Sequence, residues 1–323
     1  MYNNDSKNIL DTKSWPWNFT SDDVNQDENK QLPKITIVTP SYNQADFLEE
    51  TILSIINQKY PNLEYIIIDG GSTDNSVEII KKYEKHIDYW VSEKDYGQSH
   101  ALNKGFSRAT GDILNWINSD DVLCENALKT IADAYLKRTS DNIVIVGNGY
   151  DMNGDSKIIG NRMVYNCDNK AENNFIKFIG NPTQQSIFFS KKIYQEAGGI
   201  NPMIRYPMDI DLYYKFGYFK PEVIIIKEFL SAFRKHDQSK TISQDYKMLI
   251  EKLNLMKYLS FYDNNKMHYK NNISSYITSF SFRGISFYEK IKLLVIFVLN
   301  TNFNMKTKYK YRIVFEKIFL NKI

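Results

Sequence analysis

Leu114-Asn115-Trp116-Ile117-Asn118-Ser119-Asp120-Asp121 is an apolar run that stops abruptly in a small acidic cluster. It reads as a buried strand that carries two carboxylates to the rim of a sheet. Oxygen ligands at such a rim suit a hard divalent cation.

Upstream of it, strand and helix alternate at short intervals. Ile35 to Thr39 is β-branched throughout and predicts a first strand, stopped at Pro40 and followed by the loop Ser41-Tyr42-Asn43. A helix is predicted from Ala45 to Asn57, with Phe47, Leu48, Ile52, Leu53 and Ile56 on its apolar side. Leu63 to Ile68 predicts a strand ending at Asp69, with a turn at Gly70-Gly71 and a helix to Tyr83 whose N-cap is Asp74 or Thr73. Tyr89 to Ser92 predicts a strand ending at Glu93, and Gln98 to Ala109 a helix that leads back to the opening stretch. This alternation predicts an α/β fold with a mostly parallel central sheet and helices on both faces. Ligands bind such sheets outside the carboxyl ends of the strands. There the chain collects Tyr42, Asp69, Glu93, Asp95, Asp120 and Asp121.

Downstream, Ala127 to Leu136 reads as a helix and Ile143 to Val146 as a strand. Gly149 to Val164 reads as a hairpin turning at Asn153-Gly154-Asp155. A polar loop spans Asn166 to Asn174, and Ser186 to Phe189 is a short strand followed by a helix to Gly198. Another helix covers Met208 to Phe216, Glu222 to Ile226 is a strand, and Phe229 runs on to His236.

The chain has 323 residues, of which 42% are hydrophobic, with a net charge of +3. That length holds one large α/β domain with an appendage, or two domains. The charge is uneven. From Ser281 to Ile323, nine Lys and Arg face only Glu289 and Glu316, about +7 in the tail. No basic stripe crosses the core, which excludes nucleic acid as the partner of the whole chain. A basic tail with apolar faces, helical from Phe287 to Leu299 and from Lys308 to Leu320, fits an anionic membrane surface or a bundle packed on the domain. Cys124 and Cys167 are far apart and lack metal spacing, so a reducing cytosol is expected. The polar N-terminus has no apolar signal segment, and the run Leu293 to Leu299 is too short to span a bilayer. The expected location is the cytoplasm, or the inner face of the cytoplasmic membrane.

Five segments occur in order: Thr39-Pro40-Ser41-Tyr42-Asn43, Asp69-Gly70-Gly71-Ser72-Thr73-Asp74, Ser92-Glu93-Lys94-Asp95-Tyr96-Gly97-Gln98, Asn103-Lys104-Gly105 and Asn118-Ser119-Asp120-Asp121. Together they resemble the family 2 glycosyltransferases, inverting enzymes of GT-A fold in bacterial surface polysaccharide assembly. The resemblance covers some two-thirds of the chain, to about Thr241. It implies a GT-A catalytic domain (33–243, with a nucleotide-binding half 33–122 and an acceptor half 123–243); a polar arm (1–32) and a basic helical region (244–323), read from their composition, lie outside it.

The resemblance also implies roles. Tyr42 lies near a nucleotide base, with Pro40 and Asn43 beside it, and a flat ring stacks on a flat base. Asp69 accepts a hydrogen bond from the ring N–H of a uracil-like base. Glu93, Asp95, Gln98, Asn103, Lys104 and Ser119 line the same edge of the donor site. Asp120 is the metal-contacting carboxylate for Mg²⁺ or Mn²⁺, Asp121 supports it, and His236 is a third ligand. Asn118 stands at the first position of an Asp-x-Asp element, where an amide reaches ribose or a metal-bound water but carries no charge. Asp209 matches the catalytic base, although Met208 precedes it where many relatives have Glu. Arg234 or Lys240 faces phosphate. Asn181-Pro182-Thr183-Gln184-Gln185 lies on the acceptor side.

The implied partners are a nucleotide-sugar donor, UDP-linked, and a saccharide or lipid-linked saccharide acceptor that receives one sugar. The processive members' Gln-x-x-Arg-Trp element is absent. A sugar nucleotidyltransferase would need a Gly-rich phosphate loop after the first strand, and Pro40-Ser41-Tyr42-Asn43 has no glycine. No G-x-G-x-x-G follows that strand, so a dehydrogenase does not fit. A nucleotide-sugar-binding protein of the same fold without catalysis stays open, because of Asn118 and Met208.

Overall fold

A computed structural model describes residues 16, 32–164, 183–237, 239, 248, 250–251 and 254–255. The N-terminal arm (Pro16 and Leu32 apart), the polar loop 166–174, Cys167, Asn181, Pro182, Lys240, Thr241 and the two basic tail helices lie outside the described residues. The chain divides into a unit of 1–203 with 208–236 and a unit of 204–207 with 237–323. In the second, the amides of Arg205 and Tyr206 donate to the Glu251 carboxylate, at 3.0 and 2.7 Å.

The first unit is built on one nine-stranded sheet. Four parallel strands open it: β1 (Ile35–Ser41), β2 (Leu63–Asp69), β3 (Tyr89–Ser92) and β4 (Ile113–Trp116), in the order β3-β2-β1-β4. Their crossovers are α1 (Ala45–Ile56), α2 (Ser76–Lys82) and α3 (Gln98–Arg108). Each strand is bounded within about two residues of its predicted run; β1, β2 and β4 are buried almost throughout, as expected of strands covered on both faces, and β3 is half-buried. Ile35, Ile37, Val38, Ile66, Ile67 and Ile68 are fully or almost fully buried. Each contributes roughly 1.5–3 kcal/mol relative to exposure.

The chain then crosses to β5 (Val122–Leu123), α4 (Ala127–Leu136), β6 (Ile143–Asn153), β7 (Ile158–Arg162), β8 (Ile187–Ser190), α5 (Lys191–Glu196), α6 (Met208–Tyr218) and β9 (Glu222–Lys235). The sheet continues β4-β8-β6-β9-β5, with β8 antiparallel to both neighbours and β7 hairpinned on β6. Two elements are longer than their sequence predicts. β6 runs past Val146 and β9 past Ile226 because they pair in parallel over Ile143–Asn153 and Glu222–Lys235, with the register shifting around Asn148. Lys227 and Glu228 break the apolar pattern without breaking the strand, since both are exposed.

α2 begins after Asn75 rather than at Asp74 or Thr73. Asp74 instead accepts from the amides of Ser76 (3.0 Å) and Ala45 (2.9 Å), tying together the starts of two helices. No described helix is long and apolar enough to cross a membrane.

Candidate active site

The carboxyl edge of the parallel strands holds most of the candidates in two tiers. The inner tier is closed. Asp69 is fully buried, and its carboxylate accepts from the amides of Gly71 and Ser72 and the hydroxyls of Ser72 and Ser92, at 2.5–3.1 Å. Gly71 takes φ +81°, a left-handed turn that lets both amides point back at Asp69. Asn43 is similarly employed. Its side-chain oxygen accepts from the Thr73 amide at 2.8 Å, and its own amide donates to Ser72. Pro40 is buried within β1.

Asp121 is also fully buried. One oxygen accepts from the Arg234 amide at 2.8 Å; the other accepts from the Asn118 side chain at 3.0 Å and from Gln185. Burial first, and the adjacent Asp120 charge second, push the Asp121 carboxyl well above its ordinary range, against the pull of those three donors. Asn118 completes a chain, accepting from the Gln98 amide at 2.7 Å while donating to Asp121. A carboxylate at 118 would oppose that of Asp121, which is a physical reason for the neutral amide. Ser119 is buried in the same turn, closed by the Asp121 amide on the Asn118 carbonyl at 3.0 Å.

The outer tier is open. Tyr42 is 60% exposed. Asp95 lies against Gly70, where a Cβ would meet its carboxylate at 3.0 Å, so the glycine makes the seat. One Asp95 oxygen accepts from the Gly97 amide at 2.7 Å; the other has no hydrogen bond among the described residues. Asp120 is partly exposed and meets His236 Nε2 at 3.0 Å, although 116 positions separate them in sequence. Phe47 of α1 packs on the imidazole, with centroids 4.5 Å apart.

Other candidates have different surroundings. Glu93 and Lys104 form an ion pair with each other at 2.7 Å. Asn103 faces the second half of the unit, donating to the Ile200 carbonyl at 3.0 Å. Asp209 lies in the first turn of α6 and accepts from the Ile210 amide at 2.8 Å. One helical turn on, Tyr213 stacks on Trp116 (6.2 Å, 22°), which brings the first turn of α6 to the end of β4. Burial, and then the Asp209 charge, raise the Tyr213 phenol well above its usual range. Asp211 points inward to an ion pair with Lys215 at 2.7 Å. Gln184 donates to the Trp116 carbonyl at 2.8 Å.

Arg234, one of the two residues expected at phosphate, is fully buried and turned into the protein. Its guanidinium is taken by the Asp120 carbonyl, the Ser156 hydroxyl and Glu50. Gln185, expected on the acceptor side, donates to Asp121, and Glu50 is a contributor that the sequence reading did not name. For Glu50 a signal exists: it sits three residues from Phe47 and four from Ser54, on the face of α1 that the fold buries.

A carboxylate and an imidazole within hydrogen-bond distance, at a strand edge, are a donor set suited to Mg²⁺ or Mn²⁺. Such ions take few protein ligands and complete their shell with substrate phosphates and water. Among the described residues no third His, Cys, Asp or Glu joins them.

The sequence model for Glycosyl transferase family 2 matches residues 36–199. The chain belongs to glycosyl transferase family 2. The family match covers β1 to β8 and includes the donor-side candidates from Pro40 to Asp121; Arg234, His236 and Lys240 lie beyond it. Among curated relatives, an uncharacterized glycosyltransferase of Haemophilus influenzae is 38% identical over 101 residues, covering 30% of this chain and 40% of that protein. The chain thus spans under half the length of the first curated relatives it matches. Among solved structures, S. aureus TarS 1–349 in complex with UDP has a TM-score of 0.60 at 14% identity, covering 90% of this chain and 92% of that one. The mannosyltransferase PcManGT from Pyrobaculum calidifontis, in complex with GDP-Man and Mn²⁺, has a TM-score of 0.51 at 15% identity, covering 90% and 88%. At these identities the likeness is one of fold, the GT-A type expected for the family.

Proposed function

We propose that this family 2 protein is a metal-dependent inverting glycosyltransferase. It moves one sugar from a nucleotide sugar, UDP-linked, to a saccharide or lipid-linked saccharide acceptor in cell-surface polysaccharide assembly. The observation that carries the reading is the Asp120–His236 pair, 3.0 Å apart, at the same carboxyl edge of the sheet as the open carboxylate of Asp95 and the exposed ring of Tyr42. TarS holding UDP and PcManGT holding GDP-Man and Mn²⁺ on a similar fold support it.

In this reading Tyr42 stacks on the base. Asp95 accepts from the base or ribose through its open oxygen, because Asp69 is already occupied and instead shapes the turn. Asp120 and His236 hold the cation, and Asp121 positions them. A divalent cation, when bound, neutralises the diphosphate and stabilises it as the leaving group. Asp209 takes the proton of the acceptor hydroxyl as its oxygen attacks the anomeric carbon from the face opposite the diphosphate. The C–O bond to the diphosphate breaks in the same step, so configuration inverts without a covalent intermediate. The basic tail suits an anionic membrane surface that would keep the enzyme beside a lipid-linked acceptor.

A thermal-shift screen of nucleotide sugars with Mn²⁺, run on wild type and Asp120→Ala, tests the reading. At least one UDP-sugar should stabilise the wild type, and the variant should lose most of that response. An equal response from both would reject the metal–diphosphate site. Sugar-nucleotide binding without hydrolysis or transfer would favour the non-catalytic alternative.

A further inference from the structure

Behind the Asp120–His236 pair lies a buried charge that the proposed chemistry does not use. Arg234 is 0% exposed. Its Nε donates to the Asp120 carbonyl at 2.7 Å, one terminal nitrogen donates to the Ser156 hydroxyl at 2.7 Å, and the other pairs with Glu50 at 2.6 Å. Its backbone amide donates to the Asp121 carboxylate at 2.8 Å. The guanidinium lies 4.8 Å from the Phe47 ring centroid, and Phe47 is the ring that packs on His236. Arg234 and His236 share one face of β9 and its extension, two residues apart, while Lys235 points the other way to Asp151 at 2.9 Å. One residue therefore fixes the backbone of Asp120, the carboxylate of Asp121 and the strand end that presents His236.

We infer that the buried Glu50–Arg234 pair is a positioning device for the Asp120–His236 site, setting the geometry with which these residues meet a divalent cation and a diphosphate. Two observations favour this over a stabilising role alone. An ion pair taken wholly out of water gains little over apolar residues of the same volume. Glu50 also keeps one buried carboxylate oxygen without a hydrogen-bond partner, a cost that a device for stability alone has no reason to carry. The pair joins three parts of the chain: α1, which starts beside the Tyr42 loop; the β6–β7 turn, through Ser156; and the acidic turn. The two sides of the proposed donor site are thereby held in one register.

The inference rests on the proposed metal-binding reading, and one experiment separates their failures. UDP affinity is measured by calorimetry with and without Mn²⁺ on wild type, on Glu50→Leu/Arg234→Met, which removes both charges and keeps apolar volume, and on Arg234→Lys and Glu50→Gln. Wild type should bind UDP more tightly with Mn²⁺. The double variant should keep its melting temperature and its Mn²⁺-free UDP affinity, while its Mn²⁺-dependent gain falls by about 10- to 100-fold, as when partners of metal ligands are removed. Arg234→Lys keeps the charge but cannot reach Asp120, Ser156 and Glu50 together, so it should not restore the gain. A double variant with the full wild-type gain overturns the positioning inference alone. A wild type with no Mn²⁺-dependent gain overturns both. Should the double variant not fold, Glu50→Gln decides: a reduced gain in the folded protein supports the inference, and an unchanged gain overturns it.

Discussion

The two edges of the parallel sheet each hold a buried carboxylate, and they differ in what lies beyond it. At the amino edge Glu64 accepts from Thr36 (2.6 Å), from the Thr110 amide (2.7 Å) and hydroxyl (2.5 Å), and from Lys34 (3.2 Å). Nearby the Lys34 amide donates to Asp112 at 2.9 Å. At the carboxyl edge Asp69 is just as fully engaged, by its own turn and by Ser92. Beyond Glu64 the hydrogen bonds close on themselves. Beyond Asp69 stands an outer tier of Asp95, Asp120 and Tyr42, each at least partly exposed, with His236 largely covered by Phe47 and joined to Asp120. A carboxylate with a full set of internal donors ties strands together; one with an oxygen to spare has been left for something else. By that criterion Asp69 and Asp121 belong with Glu64, and Asp95 and Asp120 do not.

The sharpest way to break this comparison is at Asp209. If the outer residues at the carboxyl edge do the chemistry, Asp209→Asn should lower kcat by about 10²- to 10⁴-fold, the usual worth of a general base, with little change in donor KM or melting temperature. Asp211 is the internal control. It is buried against Lys215, so Asp211→Asn should cost stability before activity. An Asp209→Asn enzyme that turns over like the wild type would remove Asp209 from the mechanism.

The amino edge should respond in the opposite sense. Burial pushes the Glu64 carboxyl up, but the hydrogen bonds from Thr110, Thr36 and Lys34 outweigh it and leave its pKa below the ordinary glutamate value of 4.5. A depressed folded pKa stabilises above the unfolded pKa, and that stability is lost as pH falls through the folded value. Glu64→Gln should therefore cost about 1–2 kcal/mol at pH 7 and leave kcat and KM unchanged. Wild type should also lose part of its advantage over the variant on acidification below pH 4.5, as followed by denaturant melts. A constant difference between the two across that range would mean that the charge of Glu64 is not what the edge depends on.

The parallel strands were legible because Ile35 to Thr39, Leu63 to Ile68 and Asp112 to Ile117 are short, mostly apolar runs bounded by turn residues and separated by helical patterns. The ends of β6 and β9 were not, because Gly147, Asn148, Lys227 and Glu228 look like breaks until one strand is laid beside the other. Positions along the rim were legible for the same reason as the strands: a residue that follows a buried run must lie at the edge. Employment was not. Asp69 and Asp95 both follow strands, as do Asp120 and Asp121, and only the turn geometry decides which is saturated. Glu49 and Glu50 are adjacent acids on α1, one paired with exposed Lys82 and the other with buried Arg234, 184 positions further along. Which of them matters to the site depends on a strand that begins at Glu222, which no local pattern in α1 can report.

The smallest expected effect is at Tyr42, and it is the finest test of the boundary between the tiers. Its ring is exposed, so its removal should leave melting temperature almost unchanged, within the roughly ±0.5 kcal/mol usual at surface sites. Stacking on a base is worth about 1 kcal/mol at the lower end of its range, roughly fivefold in the Kd for UDP. Tyr42→Ala should show that loss in calorimetry, and Tyr42→Phe, which keeps the ring, should bind UDP like the wild type. A Tyr42→Phe variant as weak as Tyr42→Ala would move the interaction from the ring face to the hydroxyl. A Tyr42→Ala variant that melts early would place Tyr42 in the scaffold with Asp69. The outer tier would then begin at Asp95, with the base held by a carboxylate and not by a ring.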